Sequence, residues 1–212
     1  MPRQRLHSVD DLLDVAEQLV TSGDPAGLTL RALATSAGAS NGTIYHAFGS
    51  REELLARLWL RATERLGSLL TEATEATEAT TGVEAVVAAA LAPIRFTRAH
   101  PASAQLFFAQ RSDQLFTADL PRALTDALAA DRRQLTALLA RLADGVWGRH
   151  DRHAVAAVAT CVVDVPGGIA RRALLEHRAV DAAAERRIEA AVRAILALPL
   201  DPPPTRTQRR HP

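Results

Sequence analysis

Leu28-Thr29-Leu30-Arg31-Ala32-Leu33-Ala34-Thr35-Ser36-Ala37-Gly38-Ala39-Ser40-Asn41-Gly42-Thr43-Ile44-Tyr45-His46-Ala47-Phe48 is the stretch whose reading decides the fold. Two short helices that cross need a small residue at their contact, a turn residue that tolerates positive φ, and an apolar residue of the second helix facing the first. Counted from Leu30, those places hold Ala34, Gly38 and Ile44, with Leu33, Ala37 and Ala39 apolar or small between them. Ser40 is a natural N-cap for the second helix and leaves its first amides facing outward. The spacing therefore predicts a helix-turn-helix over residues 29–48 whose second helix lies on the surface, with Ile44 and Phe48 in the core.

Working outward, Ser8 caps a helix beginning at Val9, with Asp10 and Asp11 at its positive end and Leu12, Leu13, Ala16, Leu19 and Val20 at helical spacing. Gly23, Asp24, Pro25 and Gly27 end it, and Gly49 stops the helix after Ser40. Ser50-Arg51-Glu52-Glu53 reads as a capping box opening a long helix through Leu54, Leu58, Leu66 and Leu70. Residues 71–81 repeat Glu-Ala-Thr, which fits a solvated, fraying end of that helix better than a hinge. Further helices are predicted over 83–97, with Pro93 inside, around 106–108, and over 120–142, 153–177 and 182–198. The stretch Val165-Pro166-Gly167-Gly168 interrupts the fourth of these, and Asp164 beside it suggests a bend that lines a cavity. From Pro199 onward no apolar periodicity remains, so 199–212 reads as a disordered tail in which Arg206, Arg209 and Arg210 keep the chain solvated.

Hydrophobic residues make up 48% of the 212 residues and aromatics only 4%, so the core must be built from Ala, Leu and Val. That composition suits packed helices, and an all-α fold is expected. The formal charge is +1, so net charge identifies no nucleic-acid or acidic partner. The single cysteine, Cys161, excludes an intramolecular disulfide and a cysteine-rich zinc site, and fits a reducing cytoplasm. The first 13 residues lack a signal-peptide pattern and no segment has 18 uninterrupted apolar residues, so no export or membrane span is expected.

Taken with Ser50-Arg51-Glu52-Glu53-Leu54-Leu55, the quoted stretch resembles the tetracycline-repressor (TetR) family, over about residues 6–66. The resemblance implies an N-terminal three-helix DNA-binding domain (6–66), joined by the long helix to a helical effector-binding and dimerisation domain (67–198). In that setting Thr29, a cap, also reaches phosphate, and Ser40 and Thr43 place hydroxyls where a phosphate meets helix-end amides. Asn41 can offer a donor and an acceptor to an adenine edge, and Gly42 gives close approach to the duplex. Tyr45 and His46 match the family's aromatic pair, Tyr45 meeting a phosphate or a thymine methyl and His46 a phosphate; a partly buried core ring is an equal alternative for Tyr45. Arg51 stands where the family usually has Lys and would hold a phosphate, as would Arg31. The charges between Met1 and Leu60 run against this. Arg3, Arg5, Arg31, Arg51 and Arg57 face Asp10, Asp11, Asp14, Glu17, Asp24, Glu52 and Glu53, a surplus of two acids. The acids of the first helix must then point away from DNA.

One short recognition helix reads few base pairs, so a homodimer on a palindromic double-stranded operator is expected. The last two helices are the family's usual interface; Val155, Val158, Ala159, Val162 and Ile169 fit one face, and Ala184, Ile188, Ala191, Val192 and Ile195 another. Closure of a monomer core is the alternative for both faces. An effector pocket for an apolar or aromatic molecule is assigned to Arg95, Phe96, His100, Phe107, Phe108, Phe116, Trp147 and Asp164. Function is read as a cytoplasmic transcriptional regulator, a repressor released by its effector; the alternative is a ligand-binding or scaffold protein that keeps the motif without reading DNA. No catalytic motif is present, His150, Asp151 and His153 read as a helix start rather than a metal site, and no cofactor is expected.

Overall fold

The computed structural model describes residues 8–22, 28–76, 81–109 and 120–202. Their elements are α1 (Val9–Ser22), α2 (Leu30–Ala37), α3 (Asn41–Phe48), α4 (Arg51–Glu75), α5 (Gly82–Ala99), α6 (Pro101–Ala109), α7 (Arg122–Trp147) and α8 (Arg152–Ala159). A π-helical turn (Thr160–Asp164), α9 (Val165–Leu175) and α10 (Ala182–Leu196) complete them, and no strand occurs among the described residues.

Short polar side chains start most of these helices. The Asp11 amide donates to Ser8 Oγ (3.1 Å), and the Ser8 amide donates back to the Asp11 carboxylate (2.9 Å). Thr81, Asp151 and Asp181 cap α5, α8 and α10 in the same one-sided way as Thr29 and Ser40 cap α2 and α3. At Ser50 the capping box is half made. Glu53 N–H donates to Ser50 Oγ (3.0 Å), but the Glu53 carboxylate turns to Arg57 (2.7 Å), and the Ser50 amide donates to the Phe48 carbonyl. A cationic neighbour one turn away outcompetes a lone amide for the carboxylate.

Two large apolar cores result among the described residues, with a small cluster of Ala62, Phe96 and Ala104 between α4, α5 and α6. Leu12, Ala16, Leu33, Ile44, Phe48 and Leu58 centre the first, which holds α1–α3 and the start of α4. Val86, Ala89, Ile94, Val158, Ile188 and Val192 centre the second, between α5 and the helices from α7 to α10. The cores interlock: α4 contributes Leu54 and Leu55 to the first and Leu70 to the second, and Leu106 of α6 is buried in the first. At the other end of α5, Gly82 lies directly on the α7 backbone, where a Cβ would come within 2.1 Å of the Gly145 carbonyl oxygen. Cys161 is buried in the second core, and burial pushes its thiol up to about 11.

The bend expected at Pro166 takes a different form. Pro166 has no N–H, and the helix absorbs this in the π-helical turn just before it, where the Val165 amide donates to the Thr160 carbonyl. Among the described residues the Phe108 ring fills the space beside it, 3.8 Å from where a Gly167 Cβ would stand, and Asp164 is exposed. The tail expectation is also corrected at its start. Leu200 packs on the second core and Arg149 donates to the Asp201 carbonyl (3.1 Å), so 199–202 are anchored. Residues 203–212, with Arg206, Arg209 and Arg210, lie outside the described residues.

Candidate nucleic-acid interface and effector groove

The turn between α2 and α3 is set by Gly38 in the left-handed region (φ 62°, ψ 27°). Its amide donates to the Thr35 carbonyl and the Ala39 amide to the Ala34 carbonyl (3.0 Å), which closes the end of α2 and redirects the chain within two residues. Ser40 then caps α3, accepting from the Thr43 amide (3.1 Å) with the Thr43 hydroxyl 2.9 Å away. The inner face of α3 is fixed by Ile44 and Phe48, both fully buried. Its outer face presents Asn41 with Tyr45 and Gly42 with His46, pairs four residues apart and all exposed. Tyr45 is 59% exposed, so it is a surface ring and not a core one. Thr43 is half-buried beside them.

Thr29, exposed, caps α2 by accepting from the Ala32 amide (3.1 Å), and Arg31 is exposed one turn before the crossing. Arg51 is only partly available: its Nε donates to the Leu28 carbonyl (2.6 Å), tying the start of α4 to the start of α2. This clamp has no local signal in the sequence, since 23 residues separate its ends.

Two acids of α1 pair with arginines of α4. Asp14 pairs with Arg61 (2.6 Å), and Glu17 with Arg65 (2.7 Å). Ser103 of α6, buried, donates to Glu17 (2.9 Å) and accepts from Arg65 Nη1 (2.7 Å). His100 stands beside this cluster, and burial, reinforced by Arg65, holds its imidazole below the usual histidine value.

The expected effector residues do not gather round one cavity. Phe96, fully buried, packs edge-on to Phe107 and Phe108 (centroids 6.2 Å) and touches the His100 ring (5.9 Å), so the aromatic cluster is mostly packed core. Arg95 is exposed, and Trp147 packs half-buried on the second core. Phe116 lies outside the described residues. A groove of about 1410 Å³ lies instead between α4 and α7, floored by Trp59, Leu66, Leu70, Phe107, Leu128 and Leu138. Among the described residues of the expected set, Phe107 alone reaches it, its ring tilted against Trp59 with centroids 4.9 Å apart.

The expected interface residues divide as well. Val158, Val162, Ile188 and Val192 are buried within the single chain, because α5 packs between the α8–α9 helix and α10; they are core and have no surface to offer a partner. Val155, Ala159, Ile169, Ala184, Ala191 and Ile195 are half-buried. Exposed beside them are Ala156, Val163 (42%), Leu175 (60%), Ala190 and Ala194.

An all-helical chain with a glycine-turned helix pair, whose second helix is capped, buried on one side and polar on the other, is a helix-turn-helix protein. Residues 12–58 match the model for bacterial regulatory proteins of the tetR family. Over 60 residues the chain is 43% identical to an uncharacterized HTH-type transcriptional regulator of Mycobacterium tuberculosis, a segment that is 28% of this chain and 30% of that protein's length. The N-terminal module is thus similar to the helix-turn-helix of tetR-family bacterial regulatory proteins, and the chain spans about a third of the length of the curated relative that it matches. The fold agrees over nearly the whole length. A tetR-family regulatory protein from Rhodococcus RHA1 superposes with a TM-score of 0.68 at 18% identity, over 88% of this chain and 96% of that one. The fatty acid degradation regulator FadR from Bacillus halodurans does so with 0.67 at 15% identity, over 92% and 97%.

Proposed function

We propose that this chain is a sequence-specific DNA-binding transcriptional regulator that inserts α3 in the major groove, with Asn41 and Tyr45 reading bases. Gly42 and His46 make the close approach, and Thr29, Arg31, Ser40, Thr43 and Arg51 position the helix on phosphate. The observation that carries this reading is the two-sided character of α3: Ile44 and Phe48 wholly buried, Asn41, Gly42, Tyr45 and His46 wholly outward. Such a face has no folding role and matches the dimensions of a groove reader. The acid surplus that motivated a scaffold reading is answered by Arg57, Arg61 and Arg65, which pair Glu53, Asp14 and Glu17 inside the module.

A homodimer follows from the same logic, with the exposed small and apolar side of α8, α9 and α10 as the contact surface. The continuous helix Arg152–Leu175 is apolar and long enough by composition to cross a membrane, yet only a third of its apolar window is buried. A second copy covering Ala156, Val163 and Leu175, with Ala190 and Ala194 of α10 beside them, accounts for that exposure, and such a dimer suits a cytoplasmic repressor on a palindromic operator.

The α4–α7 groove is the effector site of this proposal. Phe107 lines it, and one turn earlier on the same side of α6 Ser103 engages Glu17 of α1. An effector that shifts α6 therefore acts on α1, which packs on α2, and on α4, which packs on α3, and release from DNA follows from its preference for one placement. Selection of duplexes from a random pool by the purified chain tests the DNA reading: a palindromic motif is expected, and enrichment of no sequence contradicts it. A single-subunit mass at micromolar concentration contradicts the dimer.

A further inference from the structure

The groove between α4 and α7 has a chemistry of its own. Its floor is apolar, and Trp59 and Phe107 stack at one end. Above that floor stands Asp131 of α7, half-buried, one of four acids that line the groove with Glu64, Glu72 and Glu75. Arg132 and Arg141 are the two bases among the described residues there, leaving a surplus of two acids among them.

Asp131 is the carboxyl that the fold leaves without a cation. Its one partner among the described residues is the Thr63 hydroxyl, which also lies 2.9 Å from the Leu60 carbonyl. Among the described residues it makes no ion pair, although two arginines line the same groove. Burial raises its pKa above the ordinary carboxylate value, with Thr63 working the other way. A carboxyl half withdrawn from water without a cation, next to aromatic faces and in a locally acidic groove, is complementary to one ligand class. An anionic ligand would meet the acid surplus, and a purely apolar one would bury Asp131 further without a partner.

Resting on the reading of this groove as the effector site, we infer that the effector is an amphipathic organic cation. Its protonated amine or quaternary nitrogen sits at Asp131, and its aromatic or aliphatic body lies along Trp59, Phe107 and the leucines. Proton balance follows: bound with a cation, Asp131 is ionised, and its carboxyl pKa falls below the raised value of the free protein. The groove volume exceeds the range of ordinary small-ligand pockets, about 300–1,000 Å³, and so accommodates an elongated body.

The test uses three probes with one aromatic body: 1-pyrenemethylamine, 1-pyrenemethanol and 1-pyrenecarboxylate. Binding to the full chain is followed by quenching of tryptophan emission, with Trp147→Phe isolating Trp59. The amine is expected to bind about tenfold or more tightly than the alcohol and the carboxylate, the worth of a charge-assisted contact. Asp131→Asn is expected to abolish that preference while leaving alcohol binding unchanged, which also shows that the variant folds. Equal binding of all three probes, or an amine preference that survives Asp131→Asn, overturns the cationic class and leaves the groove as a site. Failure of every probe to bind, with the wild-type chain folded by circular dichroism, overturns both readings.

Discussion

Glu17 of α1 and Ser103 of α6, 86 residues apart in the chain, are joined by a hydrogen bond of 2.9 Å, and Arg65 of α4 donates to both. Three helices that share no local sequence meet at one carboxylate. The two partners contribute unequally. Removing the hydroxyl in Ser103→Ala leaves the Glu17–Arg65 pair intact at 2.7 Å, so a loss of about 1 kcal/mol is expected. Glu17→Ala strands Arg65 in a partly buried place, while Arg61 keeps Asp14, and a loss of about 3 kcal/mol is expected. Urea unfolding of both variants at one pH measures the difference; equal losses would show that Glu17 is not the hub.

The crossing of α5 and α7 at Gly82 and Gly145 admits no side chain at Gly82, because the atom a Cβ would strike at 2.1 Å is backbone and cannot swing aside. Gly82→Ala is expected to lower stability by about 1–3 kcal/mol despite alanine's better helix propensity. Gly67→Ala, where a Cβ meets nothing within 4 Å, is expected to be neutral or stabilising. Thermal melts of the pair separate packing from propensity.

The helix-turn-helix was legible because its signals are local: caps at Thr29 and Ser40, a left-handed glycine at 38, and a period that hides Ile44 and Phe48. What was not legible depends on who arrives from elsewhere in the chain. Periodicity marked Val158 and Ile188 as buried but could not say whether α5 or a second copy covers them. Pro166 and Asp164 announced an irregular helix, yet only Phe108, 58 residues earlier, determines that the irregularity is filled. Asp131 sits in an Asp-Arg-Arg run that reads as a solvated face, and only the placement of α4 makes it a groove residue. Arg51 looked like a phosphate ligand at a helix start, and its bond to the Leu28 carbonyl is a tertiary fact.

Acid should act on the junction of α7 and α8. Arg149 (2.7 Å), together with the His153 amide (3.0 Å), holds the Asp151 carboxyl near a pKa of about 2, against 3.8 ordinarily. A carboxyl whose folded pKa is lowered stabilises the fold above its unfolded value, and the contribution is lost as pH falls from about 3.8 through about 2. Asp151→Asn keeps a capping side chain but cannot titrate. Its melting temperature is expected to fall less steeply than wild type between pH 4 and 2; parallel curves would assign the acid sensitivity to other carboxylates.

Few arginines face the duplex in this reading, so DNA affinity should depend on salt weakly. Each neutralised phosphate contributes roughly −0.9 to the slope of log affinity against log salt. Arg31→Ala is expected to lower affinity for all sequences alike and to reduce the slope by about one. A wild-type affinity unchanged by salt would reject the phosphate placements.

The central claim is that the outward face of α3 reads sequence, and the most direct measurement is the affinity of Asn41→Ala and Tyr45→Ala for the duplex selected by the wild-type chain and for a scrambled one. Both positions are exposed, so neither change should move stability by more than about 0.5 kcal/mol. The account predicts that each loses about tenfold or more on the selected duplex and little on the scrambled one, corresponding to about 1–3 kcal/mol of base discrimination. Undiminished preference for the selected duplex in both variants would contradict it.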